Sequence, residues 1–189
     1  MTAITEEQIR RRRFNLADYH RMGEAGILGD DDRVELIDGE IIEMTPIGSQ
    51  HGGRVKRLVY LLTQAVAQHA IVAAQDPVIL DDCSEPKPDL ALLRPRVDFY
   101  TASHPRPADV LLLIEVADTS FQKDRQIKVP LYARHGIPET WIIDTEHQRV
   151  LRFAEPKDGA YQTEEEVDLS QPAPLPGLPG RTVDLAGLF

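Results

Sequence analysis

KPDLALLRPR at residues 87–96, DVLLLIEVADTS at 109–120 and FQKDRQIK at 121–128 decide how this chain is read. The first two contain short apolar runs bounded by Pro, Asp or Ser, the pattern of buried strands. Each run carries one acid: Asp89 opens the first and Glu115 lies late in the second. A carboxylate in an apolar strand is costly to ionise unless something compensates it. If the strands are neighbours, their two carboxylates repel unless a proton or a cation lies between them. A hard divalent cation such as Mg²⁺ takes oxygen ligands of this kind, so the pattern points to a metal site.

Alternation along the second run sets Leu111, Leu113, Glu115 and Ala117 on one face. Thr119 and Gln122 then have the spacing of a capping box and open a helix. Along it Phe121, Asp124, Lys128, Leu131 and His135 recur every three or four residues. That spacing places Lys128 on the inward stripe and Lys123 towards solvent. A lysine on such a stripe either lays its stem over apolar surface or reaches into a site. Pro130 kinks or divides the helix, and Gly136-Ile137-Pro138 ends it.

Upstream, Ser49–Ala70 reads as the clearest helix, with Val55, Leu58, Val59, Leu62 and Val66 in one apolar stripe. His51 heads that stripe, either as a packed structural residue or as part of a site. Residues 71–80 read as a strand interrupted at Asp76-Pro77. Arg33–Met44 is a hairpin about Asp38-Gly39, a turn that favours positive φ. Its register pairs Ile37 with Glu40, Leu36 with Ile41 and Glu35 with Ile42. Glu35 either reaches water from a half-exposed strand or points a third carboxylate at the site. Phe14–Ile27 is a short amphipathic helix capped by Asn15. Residues 1–13 form a basic arm ending in four arginines, Arg10 to Arg13, either solvated or touching phosphate. The connection 94–109, with Arg94, Arg96, His104 and Arg106, is either a surface loop or a basic lip for a phosphate backbone.

Downstream, residues 140–144, 150–153 and 161–167 read as strands, 171–180 as Pro-rich irregular chain, and 183–189 as an apolar turn docking back on the domain. The length of 189 residues suits one domain, and the net charge of −10 argues against bulk electrostatic coating of nucleic acid. With Cys83 the only cysteine, no intrachain disulfide forms, and with no apolar run of membrane-spanning length the expected compartment is the cytoplasm. The six histidines lack close ligand spacing, which disfavours zinc. A glycoside hydrolase would also use two carboxylates, but no aromatic sugar platform is evident.

The order helix, strand, Pro-Asp strand, Glu-bearing strand, helix, strand over residues 49–144 resembles the core of the PD-(D/E)xK restriction-endonuclease-like superfamily. VELIDGEIIEM (34–44), SQH (49–51), PDLALL, IEVADTS and KVPLYARHGIPETWIID (128–144) are similar to its Uma-two family, from about Phe14 to the VDLAGLF ending. The resemblance implies an α/β fold: a central mixed sheet flanked by helices, with an N-terminal helix and hairpin, in one endonuclease-like domain over 14–189. It implies a Mg²⁺- or Mn²⁺-dependent DNA endonuclease, with Asp89 and Glu115 as metal ligands. Glu35, as a third ligand, and His51 would line the same site. The family's usual lysine, two residues after the Glu, is replaced here by Ala117. Some members supply it from the next helix, which nominates Lys128. A homodimer is expected, since cutting two strands commonly uses two sites. The alternative is a nuclease-fold binding or assembly module that has lost its chemistry.

Overall fold

The computed structural model describes residues 11–29, 31–46 and 48–189; most of the basic arm lies outside them. Helix α1 spans Leu16–Glu24, and its Asn15 cap accepts from the Asp18 N–H at 2.8 Å. It is shorter than its amphipathic pattern suggests and ends just before a glycine with positive φ, Gly26. Strands β1 (Val34–Ile37) and β2 (Glu40–Glu43) form the expected hairpin in the expected register. Asp38 and Gly39 both have positive φ, as a tight turn between twisted strands requires. Val34 and Leu36 pack against Tyr19 of α1, while Ile37 packs towards the main sheet, so all of β1 is buried.

Helix α2 spans Ser49–Val66, with Val55, Leu58, Leu62 and Val66 as its buried stripe. It leads into β3 (Ile71–Ala74), the first strand of a six-stranded sheet. The expected strand over 71–80 stops early: the Gln75 backbone turns to positive φ, and Pro77 has no N–H to pair. The sheet continues with β4 (Leu90–Leu93), β5 (Val110–Ala117), β6 (Glu139–Asp144), β7 (Arg149–Lys157) and β8 (Ala160–Glu166), in spatial order β3-β4-β5-β6-β7-β8. All neighbours are antiparallel except β5 and β6. A parallel pair cannot be joined by a tight turn, so the segment after β5 crosses back over the sheet.

That crossover is a helix in three pieces. A short α-helical turn α3 (Phe121–Lys123) leads into a wide π-type turn, Asp124–Lys128, and then into α4 (Val129–Arg134). The Val129 N–H bonds to the Asp124 carbonyl, five residues back. The division falls where Pro130 predicts it. A proline ring clashes with the carbonyl four residues before it, here Gln126, and offers no N–H to it. The wide turn relieves both problems within an unbroken run of helical φ and ψ. The expected capping box at Thr119 and Gln122 does not form. Ser120 occupies the cap position without capping, and its hydroxyl turns instead to Asp124.

The two sheet faces have separate cores. One face, with Leu90, Leu92, Leu112, Ile114, Val116, Trp141 and Ile143, is covered by α2 and by the C-terminal segment. In that segment β9 (Ala173–Pro174) pairs with β10 (Thr182–Val183), and Val183, Leu185 and Leu188 dock as the sequence suggests. The opposite face, with Ala91, Leu93 and Leu113, lies under the crossover helix residues Leu131 and Tyr132. Leu111 departs from its expected place. The β4–β5 register shifts between Leu92 and Leu93, leaving Leu111 as a bulge that packs with α2's core. Glu115 and Ala117 remain on the crossover side because their pairing with β6 is regular.

Candidate active site

Asp89 immediately precedes β4 and Glu115 lies near the end of β5. Beside them the antiparallel pair Leu90–Ile114 brings the two acids to one end of neighbouring strands. Each acid is held by different neighbours. Asp89 Oδ2 accepts the Val116 N–H at 2.8 Å, and its Oδ1 lies 2.9 Å from His51 Nε2 in the first turn of α2. Glu115 Oε1 accepts the Tyr132 hydroxyl at 2.5 Å. Lys128 Nζ lies 3.2 Å from both Glu115 oxygens and 3.1 Å from Glu35 Oε2. Glu35 is fully buried on β1 and also accepts the Lys87 N–H at 3.2 Å. Asp124, buried beside Lys128, accepts the Ser120 hydroxyl at 2.6 Å. The five residues nominated from sequence, Glu35, His51, Asp89, Glu115 and Lys128, thus stand at one place. His51, Asp89, Glu115 and Lys128 line a cavity of about 260 Å³.

Lys123 is the clear departure. The α-helical period points it to solvent, but its Nζ lies 2.9 Å from Glu35 Oε1, and it lines the same cavity. The wide turn explains this. Where backbone bonds run from residue to residue five apart, side chains five apart stack on one face. Lys123 and Lys128 therefore converge on one carboxylate. Asp124 and Tyr132 are the other site residues not singled out from sequence. Asp124 is on the inward stripe, four residues before Lys128, and Tyr132 stands four after it beside Leu131, so spacing offered a signal for both. The basic residues of the 94–109 loop are remote from the acids. The loop joins the end of β4 to the start of β5, the sheet end opposite Asp89 and Glu115. Arg96 there is paired with Asp98.

Burial pushes the Glu115 carboxyl up to about 8; Lys128 opposes the shift, while Asp124, Asp89 and Glu35 add to it. Asp124 is also raised by burial, with Asp89 adding and Lys128 and Ser120 opposing. Burial alone would lower the Lys128 ammonium, but Glu115, Glu35 and Asp124 together hold it above its ordinary value. Glu35 is desolvated too, yet Lys128 and Lys123 keep it below the usual carboxylate range. The hydrogen bond that His51 donates to Asp89 raises its imidazole against its own burial.

Residues 16–186 match the family model Uma2, described as "Putative restriction endonuclease". The chain belongs to this family. Among solved structures it is similar to one from Anabaena variabilis ATCC 29413, described as "a putative nuclease belonging to DUF820". The two share 18% sequence identity with a TM-score of 0.67, over 86% of this chain and 89% of that one. At that identity the likeness speaks for a nuclease-like fold. No curated protein matches the chain. No helix among the described residues is long and apolar enough to cross a membrane.

The donor set fits a hard divalent cation. Four carboxylates, Glu35, Asp89, Glu115 and Asp124, meet two ammoniums, Lys123 and Lys128. Burial is the largest cause of the raised Glu115 and Asp124, and Asp89 adds to both. Among the described residues no group of three or more His, Cys, Asp or Glu stands together to hold a metal. Asp89 and Glu115, at neighbouring strand ends, are the oxygen donors such an ion would take, with water completing the shell, as Mg²⁺ commonly keeps it.

The raised Glu115 has a consequence for stability in the absence of divalent ions. Its carboxyl titrates near 4.5 when unfolded and at about 8 when folded. The native state binds the extra proton between those values, so this contribution is full below the lower one and is lost as pH rises to the upper. Urea denaturation at about pH 5 and about pH 8 should show wild type losing more stability across the interval than Glu115→Gln. Parallel losses in the two proteins would contradict the shifted carboxyl.

Proposed function

We propose that this chain is a Mg²⁺- or Mn²⁺-dependent DNA endonuclease that hydrolyses phosphodiester bonds. The observation that carries the reading is the Lys128 ammonium 3.2 Å from Glu115. Ala117 leaves the strand without the usual lysine, and the crossover helix delivers one to the same carboxylate. Asp89 and Glu115 would hold the ion, from neighbouring strands whose backbone is fixed by sheet pairing. When bound, the ion supplies charge neutralisation at the phosphate and a lowered pKa for water.

The chain's own residues do the rest. His51 and the Val116 N–H lock both Asp89 oxygens in direction. The Tyr132 hydroxyl holds Glu115 Oε1 while Lys128 faces both of its oxygens. Lys128, desolvated and already oriented, offers a fixed positive charge to the developing negative charge, with no reorganisation during the reaction. Glu35 was nominated as a third ligand, but its contacts support a different part: it anchors the two ammoniums, so that Lys128 is shared between Glu35 and Glu115. The inactive-module reading is favoured by one observation. Lys128 and Tyr132 already contact both Glu115 oxygens, so the cluster is also complete as an ion-pair core.

Three measurements separate these readings. Calorimetric titration with Mn²⁺ should show binding to wild type that is lost in the double variant Asp89→Asn, Glu115→Gln; equal heats from both would remove the metal assignment. Lys128→Met should reduce Mg²⁺-dependent cleavage by about 10²–10³-fold, as loss of a preorganised electrostatic partner does. Lys128→Arg should not restore it, because a planar guanidinium is not a compact charge on a flexible stem. Lys128→Met also leaves buried carboxylates unpaired, at a cost of about 3–5 kcal/mol, so cleavage is compared per folded molecule. Undiminished cleavage by Lys128→Met would refute its role, and wild type without cleavage of any nucleic acid would favour the inactive module. A homodimer belongs to the same reading, and sedimentation finding only monomer at micromolar concentration would count against it.

A further inference from the structure

We infer that Lys123 is a substrate-binding residue, a mobile ammonium that leaves Glu35 to contact a phosphate of the nucleic acid. The inference rests on the nuclease reading above and deepens it. Lys123 and Lys128 share one carboxylate, but their situations differ. The Lys128 side chain is 4% exposed and lies between two carboxylates, whereas that of Lys123 is 24% exposed and reaches the cavity. Lys128 and the Lys87 N–H already serve Glu35 Oε2. The remaining oxygen, Oε1, is buried and has no well-directed hydrogen bond, although Lys123 Nζ is 2.9 Å away. The other contact of that ammonium, to the Glu43 carbonyl, is long at 3.4 Å. An ammonium has three donors, so Lys123 keeps capacity for a better acceptor. A phosphate oxygen is such an acceptor, and charge-assisted bonds to it are among the stronger ones.

The backbone supports the same conclusion. The wide turn between the two lysines is an uncommon conformation that recurs at functional sites. Relief of Pro130 accounts for its position along the helix. It does not account for a lysine at the residue five before Lys128, which the turn brings over the site. Lys128 is committed to ion pairs inside the fold, between Glu35 and Glu115. Lys123 instead combines a flexible stem, partial exposure and an imperfect resting partner. These are the properties of a group that exchanges partners when an anion arrives.

The test compares wild type, Lys123→Gln and Lys123→Arg on a short fluorescein-labelled DNA duplex. Binding is measured in chelator-containing buffer across a series of potassium chloride concentrations, and cleavage with Mg²⁺. Lys123→Gln should bind about tenfold more weakly at low salt, the scale of one charge-assisted hydrogen bond. The slope of log affinity against log salt should fall by about one, the signature of a lost phosphate contact. Cleavage should show a raised KM with a smaller change in kcat, and Lys123→Arg should keep the wild-type slope. A lysine that only supports the fold would shift the melting temperature and leave the salt slope unchanged. Unchanged affinity and slope in Lys123→Gln, with wild type still cleaving, would overturn this inference and leave the nuclease reading intact. Wild type that neither binds nor cleaves nucleic acid would overturn both.

Discussion

One buried ammonium organises this molecule. Lys128 lies among Glu35 from the N-terminal hairpin, Glu115 from the central sheet and Asp124 from its own helix. Taking such ions out of water costs several kcal/mol each, which only mutual pairing in good geometry returns. The cluster is therefore stable as a set and costly when broken. That condition ties three separately folded elements to one point. The hairpin cannot drift from the crossover helix, and the helix cannot slide along the sheet, without leaving a buried charge unpaired.

The sheet topology makes the arrangement possible. A parallel β5–β6 pair obliges the chain to cross over one face, and the crossover helix lands on the face that carries Glu115. The opposite face gives α2 its apolar bed, and α2 in turn sets His51 against Asp89. Each acid thus takes its orientation from a different layer: Asp89 from α2 and the β5 backbone, Glu115 from the crossover helix. The site sits where the layers meet, at the strand ends.

Much of this could be read from the sequence, and the failures share a cause. Asp38-Gly39 determines the hairpin register through turn geometry, whereas the full burial of Glu35 comes from packing on both faces of β1, which alternation leaves open. The apolar stripe of α2 places His51 because that helix is regular from its first turn, and Lys128 keeps its expected facing because α4 continues directly from it. Lys123 and Leu111 were misplaced because each lies beside a one-residue irregularity. Regular periods of 3.6 and 2 cannot represent a five-residue turn or a bulge. Pro130 announced that the helix would break; it did not announce the direction in which Lys123 would be carried. The β9–β10 ladder was also missed, since two-residue strands in Pro-rich chain leave no alternation to read.

The bulge at Leu111 acts as a phase adjuster. It takes up one residue between the 94–109 loop and the functional end of β5, while Glu115 draws its facing from the regular ladder with β6. The two ends of β5 are thereby decoupled. Gly177, at positive φ, packs against the bulged side chain, and a β-carbon there would come to 2.8 Å from Leu111 Cδ2. The strand thus has two registers, one set by the loop end and one by the regular ladder with β6, and a single unpaired leucine marks the boundary.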